Sequence, residues 1–205
     1  SVRKFPFVSK HCLEAMFTLK RNPSDFSSSP DAILKYFPNI NTMVIWGSAF
    51  GDDGTPLPDT VKSLVIHQMD FEDIDEGNLR YADRVVEIDG CVSNELHPAD
   101  LDLFPNLERL TTTTDALEMV TMPNNPLKHL TVRHSMPRVS LFSLFPPDCA
   151  EQIVVVFRSP KQFAKVKAQQ LPPNVRVFCS QIGEGVTPAD FYKWFISEGI
   201  TLSQR

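Results

Sequence analysis

Dense cysteine, long basic runs, glycine-rich loops and long apolar stretches are all missing from this chain of 205 residues. Each absence excludes a class. Cys12, Cys91, Cys149 and Cys179 are far apart, with no C-x-x-C pair, so neither a secreted disulfide framework nor a zinc ribbon is expected. They read as reduced thiols in an intracellular, cytoplasmic protein. No Lys/Arg run is long enough to track a phosphate backbone, and the net charge is -5, which argues against nucleic acid as a partner. The longest apolar run is of the Ile153 to Phe157 kind, far short of the roughly 20 residues that cross a bilayer. No membrane association is expected. The chain starts at Ser1 without a Met or an apolar leader, so a trimmed start or a longer parent protein is expected.

The usual signatures of catalysis are missing as well. There is no G-x-S-x-G, H-E-x-x-H, Walker lysine loop or kinase signature. The loop Gly47-Ser48-Ala49-Phe50-Gly51-Asp52-Asp53-Gly54 places two acids where a phosphate would sit. The acidic stretch Asp70, Glu72, Asp73, Asp75, Glu76 is interleaved by Phe71 and Ile74 and lacks calcium-loop spacing. His129 and His134 have no Cys or carboxylate at ligand spacing. Cys91 and Cys179 fall at or beside turns and read as buried thiols. No enzyme activity, metal or cofactor is expected.

What the chain does have is proline, 17 against 8 glycines, and a chain rich in rigid corners turns often. Apolar residues at 42% and charged residues at 22% are ordinary for a globular domain. The corners are periodic. Runs of the form apolar-x-x-apolar-x-apolar recur, most of them just after a Pro or Pro-Asn. They include Ile40 to Ile45, Val61 to Ile66, Leu107 to Thr112 and Leu127 to Val132, with weaker versions at Asp83 to Ile88, Gln152 to Val155 and Val175 to Val177. Taking Met43, Leu64, Val86, Leu110, Leu130, Ile153 and Val175 as equivalent, the intervals are 21, 22, 24, 20, 23 and 22. One such unit cannot bury its own apolar residues. Stacking each on the next gives a continuous core under a parallel sheet.

This pattern resembles the leucine-rich repeat, whose period is about 20 to 29 residues with consensus L-x-x-L-x-L. The resemblance covers Phe37 to Ser180 and implies an α/β fold: a leucine-rich-repeat solenoid with a curved parallel sheet of about seven short strands and an irregular or short-helical convex side. It also implies a small polar residue three places past each strand. Those slots hold Ser48, Met69, Cys91, Asp115, Ser135, Arg158 and Ser180, so the second and sixth repeats depart. An ordinary α/β sheet is the rival. Its return segments would be amphipathic helices, whereas Gly47 to Pro58 and Thr113 to Pro126 are full of breakers. Later, Ser159-Pro160 opens a helical stretch from Lys161 to Gln170.

Helical caps are expected at both ends, dividing the chain into 1–36, 37–182 and 183–205. Phe5 to Lys20 predicts a helix, with Leu13, Met16, Phe17 and Lys20 on one stripe and Asn22-Pro23 as its stop; a second runs from Ser29-Pro30 to Tyr36. Val8-Ser9-Lys10 is similar to the second half of an F-box-like segment, with Cys12 in its Trp position. The layout also resembles the expanded repeat families of protozoan parasites, which set a V-S-K-type helix before irregular repeats. At the far end Thr187-Pro188-Ala189-Asp190 starts a helix bearing Phe191, Trp194 and Phe195, with Gly199 as its stop.

Outward strand positions then form the candidate surface. In order they are Val44 and Trp46, Val65 and His67, the acidic pair Glu87 and Asp89, Arg109 and Thr111, His129, Thr131 and Arg133, Val154 and Val156, then Arg176 and Phe178; of these Trp46, His67, Glu87, Asp89, Arg109, His129, Arg133 and Phe178 are the candidate partner-binding residues. Trp and Arg are the types most often found as binding hot spots. The expected function is a non-catalytic module binding a protein partner on the concave face, centred on Trp46 and Arg133. The F-box resemblance implies a substrate receptor of a ubiquitin ligase, with an adaptor contacting the N-terminal helix. The rivals are a spacer with an empty face, and a hydrolase-like α/β enzyme using Asp52, Asp53 and a His at strand ends.

Overall fold

The computed structural model describes residues 10–23, 29–50, 56–74, 78–92, 98–134, 146, 148–157 and 172–179. The expected helices at Lys161 to Gln170 and after Thr187, the slots Ser135, Arg158 and Ser180, and the loop acids Asp52 and Asp53 lie outside them. So do Val8 and Ser9.

Among the described residues there are nine strands: β1 (Thr42–Trp46), β2 (Ser63–Asp70), β3 (Val85–Val92), β4 (Ala99–Asp100), β5 (Arg109–Thr113), β6 (Val120–Thr121), β7 (Leu127–His134), β8 (Ala150–Phe157) and β9 (Val175–Cys179). The fold is α/β, with a parallel sheet of seven strands in the order β1-β2-β3-β5-β7-β8-β9. Helices are short: α1 (Lys10–Thr18), α2 (Pro30–Tyr36), α3 (Gly47–Phe50) and α4 (Thr114–Leu117). Every sheet strand occurs in chain order, which is the arrangement a tandem repeat produces and a doubly wound sheet does not. Two compact units make up the chain, Ser1–Val92 with Leu103–Leu107, and Ser93–Asp102 with Glu108–Arg205.

Within the first unit Met43 pairs with Leu64 and Ile45 with Ile66, which pairs with Ile88. All five are buried. The expected equivalence of Val86 with Leu64 is corrected: Leu64 pairs with Val85, because the register shifts between Leu64 and Val65. The extra residue of a bulge exchanges which neighbour faces the core, so Val85 is fully buried and Val86 only partly. Strands β2 and β3 also run on through Met69 and Cys91, which are paired and buried. Met69 is therefore a core residue and not a turn residue that lost its polarity.

A tight turn precedes the strands. The carbonyl of Phe37 accepts from the Ile40 N–H, and Pro58 with Val61 and Phe104 with Leu107 repeat the contact. Proline presets the backbone at the second position of such a turn, and Asn or Asp suits the next. Pro38-Asn39 and Pro105-Asn106 fill these positions, whereas Pro58 opens its turn with Asp59 second; each Asn or Asp also meets a segment just over twenty residues away. Asn39 Nδ2 donates to the Phe17 carbonyl at 2.8 Å and Asn106 Nδ2 to the Asp83 carbonyl at 2.7 Å. Asp59 is met from the following repeat by Arg84, which lies 3.6 Å from its carboxylate and donates to the Pro58 and Val61 carbonyls at 3.2 and 3.0 Å. These contacts stitch one turn to the next about a repeat apart.

The N-terminal helix is a smaller contributor than its pattern suggests. Met16 is buried, but Phe17 is 39% exposed, correcting the expected Leu13-Met16-Phe17-Lys20 stripe. The helix ends at Thr18 and the chain extends, Arg21 bridging to Thr42 in parallel. Asn22, expected as part of a helix stop, instead closes the edge of β1. Its Oδ1 accepts from the Val44 N–H at 2.7 Å and its Nδ2 donates to the Val44 carbonyl at 2.8 Å. One side-chain amide thus stands in for a strand's peptide group. The second helix spans Pro30–Tyr36 as expected, with Ile33 in the core.

The second unit repeats the plan with cleaner register. Leu110 pairs with Leu130, Leu130 with Ile153 and Ile153 with Val175; Thr112, Val132, Val155 and Val177 form the next column. All eight are buried. On the return side β4 and β6 form a two-residue parallel ladder, and Asp102 accepts from the backbone and side-chain nitrogens of Asn124 at 2.8 and 2.7 Å. Asn174 Nδ2 donates to the Ala150 carbonyl at 2.9 Å, the same backward reach as in the first unit. The polar slot expected at Asp115 is not the cap. Thr113 Oγ1 accepts from the Ala116 N–H and starts α4. Among the described residues no helix is long and apolar enough to cross a membrane.

Candidate functional site

Alternation along a strand sends the residues between the core columns to the opposite face. In the first unit that face carries a row running straight across three strands, Trp46 paired with His67 and His67 with Asp89. The Trp46 and His67 rings lie 6.2 Å apart, tilted by 46°. Asp89 Oδ2 is 3.1 Å from His67 Nδ1. A carboxylate there holds the Nδ1–H tautomer and leaves Nε2 as the working nitrogen. Both Nε2 of His67 and Nε1 of Trp46 are buried, with no hydrogen-bond partner among the described residues. A buried polar atom left unpaired costs about 1–3 kcal/mol, and it asks for an explanation in any native site.

Immediately past this row the backbone of each strand is tight. A Cβ at Gly47 would lie 2.5 Å from the Gln68 carbonyl oxygen. Gln68 itself has φ +51° and Gly90 φ +91°. Just beyond the Trp46-His67-Asp89 row glycine is thus needed at Gly47 for the close approach and at Gly90 for its left-handed backbone.

Two outward positions of this unit are not surface. Val44 and Val65 were expected to face a partner, yet they are 2% and 1% exposed. They belong to the packed interior. Glu87 is partly buried and lies 3.8 Å from Arg21, a long, half-solvated ion pair worth little. Arg21 was missed in the sequence because it precedes the repeats. The Asn22-Pro23 dipeptide, matching the Pro/Asn corners elsewhere, was the available signal that strand-like chain begins there.

In the second unit the same face is open. Arg109, Arg133 and Arg176 are exposed, and Phe178 is 48% exposed. Cross-strand pairing makes three rows: Arg109, His129, Gln152; then Thr111, Thr131, Val154, Arg176; then Thr113, Arg133, Val156, Phe178. Arg176 was recognised as outward in the sequence but not counted as a site residue, and the rows place it among those that were. Of the expected residues, Trp46, His67 and Asp89 form one row of the first unit with Glu87 off it, and those of the second unit fall on two rows, Arg109 with His129 and Arg133 with Phe178.

Chemistry beyond binding finds little support in the thiols. Burial, aided by Asp70, pushes the Cys91 thiol up to about 12, and burial with Asp148 pushes Cys149 up to about 11. Neither is a nucleophile at neutral pH. No group of three or more metal-ligating side chains occurs among the described residues. Asp70 caps the short helix after β2 by accepting from the Glu72 N–H at 3.1 Å, giving the acidic stretch a structural use. Comparison with protein-family models, with curated proteins and with solved structures gives no match.

Proposed function

We propose that this chain is a leucine-rich-repeat-like solenoid that binds a protein partner on the outward face of its sheet, without catalysis. The observation that carries the reading is the open face of the second unit. Parallel sheets in α/β enzymes are covered by helices on both sides, whereas here arginines and a phenylalanine stand exposed over a fully packed opposite face. Arg and aromatic side chains on such a face are the residues that supply most binding energy in protein interfaces. The strands' sequential order and the repeated turns support the solenoid.

A role as the receptor half of an F-box-type adaptor is part of the same proposal. Phe17 at 39% and Leu19 at 40% exposure offer an apolar contact at the end of α1. The buried free thiols Cys91 and Cys149 suit a reducing, cytoplasmic setting. Neither nucleic acid nor membrane is part of the proposal.

The test is a photo-crosslinking amino acid placed at Thr131 on the face, or at Asn124 on the return side, of the full chain in extract of the native cell. One protein captured from Thr131 and not from Asn124 is the expected result, with capture reduced by Arg133→Ala. Capture from Asn124 alone contradicts it. The His67–Asp89 pair favours a second reading, a hydrolase-like enzyme with an oriented imidazole. That reading needs a hydroxyl or thiol on Nε2, and labelling of the chain by a fluorophosphonate, lost in His67→Gln, is its test.

A further inference from the structure

We infer that the Trp46-His67-Asp89 row of the first unit is a binding site for a neutral sugar, one hydroxyl of which joins Trp46 Nε1 to His67 Nε2. The site goes beyond the protein-binding reading, which draws on the second unit. Trp46, His67 and Asp89 are register partners on β1, β2 and β3, so their Cα atoms follow one another at about 4.8 Å. The ring nitrogens that the row leaves over, Trp46 Nε1 and His67 Nε2, are buried without a hydrogen-bond partner among the described residues. Native folds rarely strand two such atoms on neighbouring strands. A ligand that pairs with both removes the penalty that the free chain carries.

The polarity of the row selects the group. Asp89 Oδ2 lies 3.1 Å from His67 Nδ1, and a carboxylate there keeps the proton on Nδ1 and leaves Nε2 with its lone pair. Trp46 Nε1 can only donate. One donor and one acceptor therefore stand side by side, and a hydroxyl accepts from the first while giving its hydrogen to the second. Charge points the same way. Glu87 and Asp89 sit two residues apart on β3, and Arg21 offsets Glu87 only from 3.8 Å, so a carboxylate or phosphate ligand meets like charge. An ammonium ligand suits those acids but sets a donor against the Trp46 N–H.

The surroundings suit the carbon frame of a sugar. Trp46 is half-buried, its ring 6.2 Å from that of His67 and tilted by 46°. An indole offers a flat apolar face to C–H groups while its N–H stays polar. Gln68 follows His67 at φ +51°, a conformation costly for a residue other than glycine and concentrated at functional sites. Gln68 is exposed, and a Cβ at Gly90 would come 3.7 Å from its Cγ. Its amide, next along β2, both donates and accepts and is placed to take a second hydroxyl. Small-molecule sites have this make-up, an aromatic wall with a few placed polar groups. The His67 side chain keeps 18% of its surface in water and Trp46 is likewise part exposed, so a turn of either ring brings its nitrogen to the ligand without opening the sheet. No bond changes, which separates this site from the hydrolase-like reading: the hydroxyl belongs to the ligand and leaves intact.

The experiment is NMR on the full chain, uniformly nitrogen-labelled, reading the Trp46 indole N–H and the His67 ring nitrogens, with Trp46→Phe and His67→Phe to assign them. The probes are the methyl glycosides of glucose, galactose and mannose. Acetate, tetramethylammonium, N-methylacetamide and a threonine blocked at both ends serve as rivals. At least one glycoside is expected to move both signals saturably, with a dissociation constant in roughly the millimolar range, and the free His67 to show the Nδ1–H tautomer. Trp46→Phe keeps an aromatic face and removes the N–H, so it weakens that glycoside by roughly threefold to tenfold. Should His67→Phe fail to fold, Trp46→Phe carries the test alone. An Nε2–H tautomer, unchanged affinity in Trp46→Phe, or shifts from a rival probe as strong as from the glycosides each overturn the inference. So does the absence of a saturable shift with all three glycosides, which would leave the two nitrogens serving an internal water only.

Discussion

Replacing Asn22 by Ala takes away an amide that completes the hydrogen bonding of an edge strand. Asn22 and Val44 are 1% and 2% exposed, so water reaches neither side of the contact. The substitution leaves the Val44 N–H and carbonyl without the partners they have at 2.7 and 2.8 Å. Each buried orphan costs about 1–3 kcal/mol, and partial relaxation puts the pair at about 2–4 kcal/mol in all. That is a large fraction of the roughly 5–15 kcal/mol that holds a domain together. For a chain of this size the expected loss in thermal midpoint is about 4–16 °C. Urea unfolding followed by circular dichroism measures it, with an unchanged slope showing that the native fold is kept. Asn22→Asp supplies a second reading. It keeps an acceptor for the N–H but sets a carboxylate against the Val44 carbonyl, so its carboxyl is held protonated more readily when folded, and its deficit narrows as pH falls from 7 towards 4. A loss below about 0.5 kcal/mol in Asn22→Ala, the range of an ordinary surface change, refutes the edge closure.

The remaining expectations are shorter. Gly47→Ala drives a Cβ to 2.5 Å from the Gln68 carbonyl oxygen, a backbone atom that cannot swing aside, so a loss of about 1–3 kcal/mol is expected in the same urea assay. Cys91 and Cys149 resist Ellman's reagent at pH 8 in the folded chain while Cys12, partly exposed, reacts; three fast-reacting thiols from these would contradict their burial. With the Cys91 pKa raised from 9.0 to about 12 by burial and then by Asp70, the unfolded chain loses this proton first. Its contribution is complete below pH 9 and falls away as pH rises from 9 towards 12, so Cys91→Ala flattens the alkaline decline in stability seen in the parent.

Much of the architecture is written locally. Strand positions follow from the apolar-x-x-apolar-x-apolar runs, and the intervals between Met43 and Leu64, Leu110 and Leu130, Leu130 and Ile153, and Ile153 and Val175 are the hydrogen-bonded registers themselves. That works because a strand's side-chain period is two and a slip of one residue would turn its core column outward. The turns were legible too, since Pro and Asn carry their own backbone preferences. Val86 was misplaced because a bulge is set by pairing with the next strand, which leaves no mark in a single segment. Val44 and Val65 show a different limit: period distinguishes two faces but not whether both are covered. Asn22 was read as a helix stop because its partner, Val44, is 22 residues away, and a side chain acting as a peptide group has no local signature. Of the candidate surface, the residue types and their outward phase were legible; the division into a Trp46-His67-Asp89 row and the rows that carry Arg109, Arg133 and Arg176 needed the registers.

Everything functional depends on strands of successive repeats lying parallel and in the stated phase, and paired cysteines test that most directly. Register partners in neighbouring strands stand about 4.8 Å apart, within the span a disulfide bridges, whereas a partner two residues out of phase exceeds about 7 Å. Under mild oxidation, Thr111→Cys with Thr131→Cys is expected to crosslink, as is Thr131→Cys with Val154→Cys, each mapped by mass spectrometry of tryptic peptides. Thr111→Cys with Arg133→Cys is expected to remain reduced. Crosslinking of that out-of-phase pair in preference to the other two would contradict the stacking on which the proposed binding face is built.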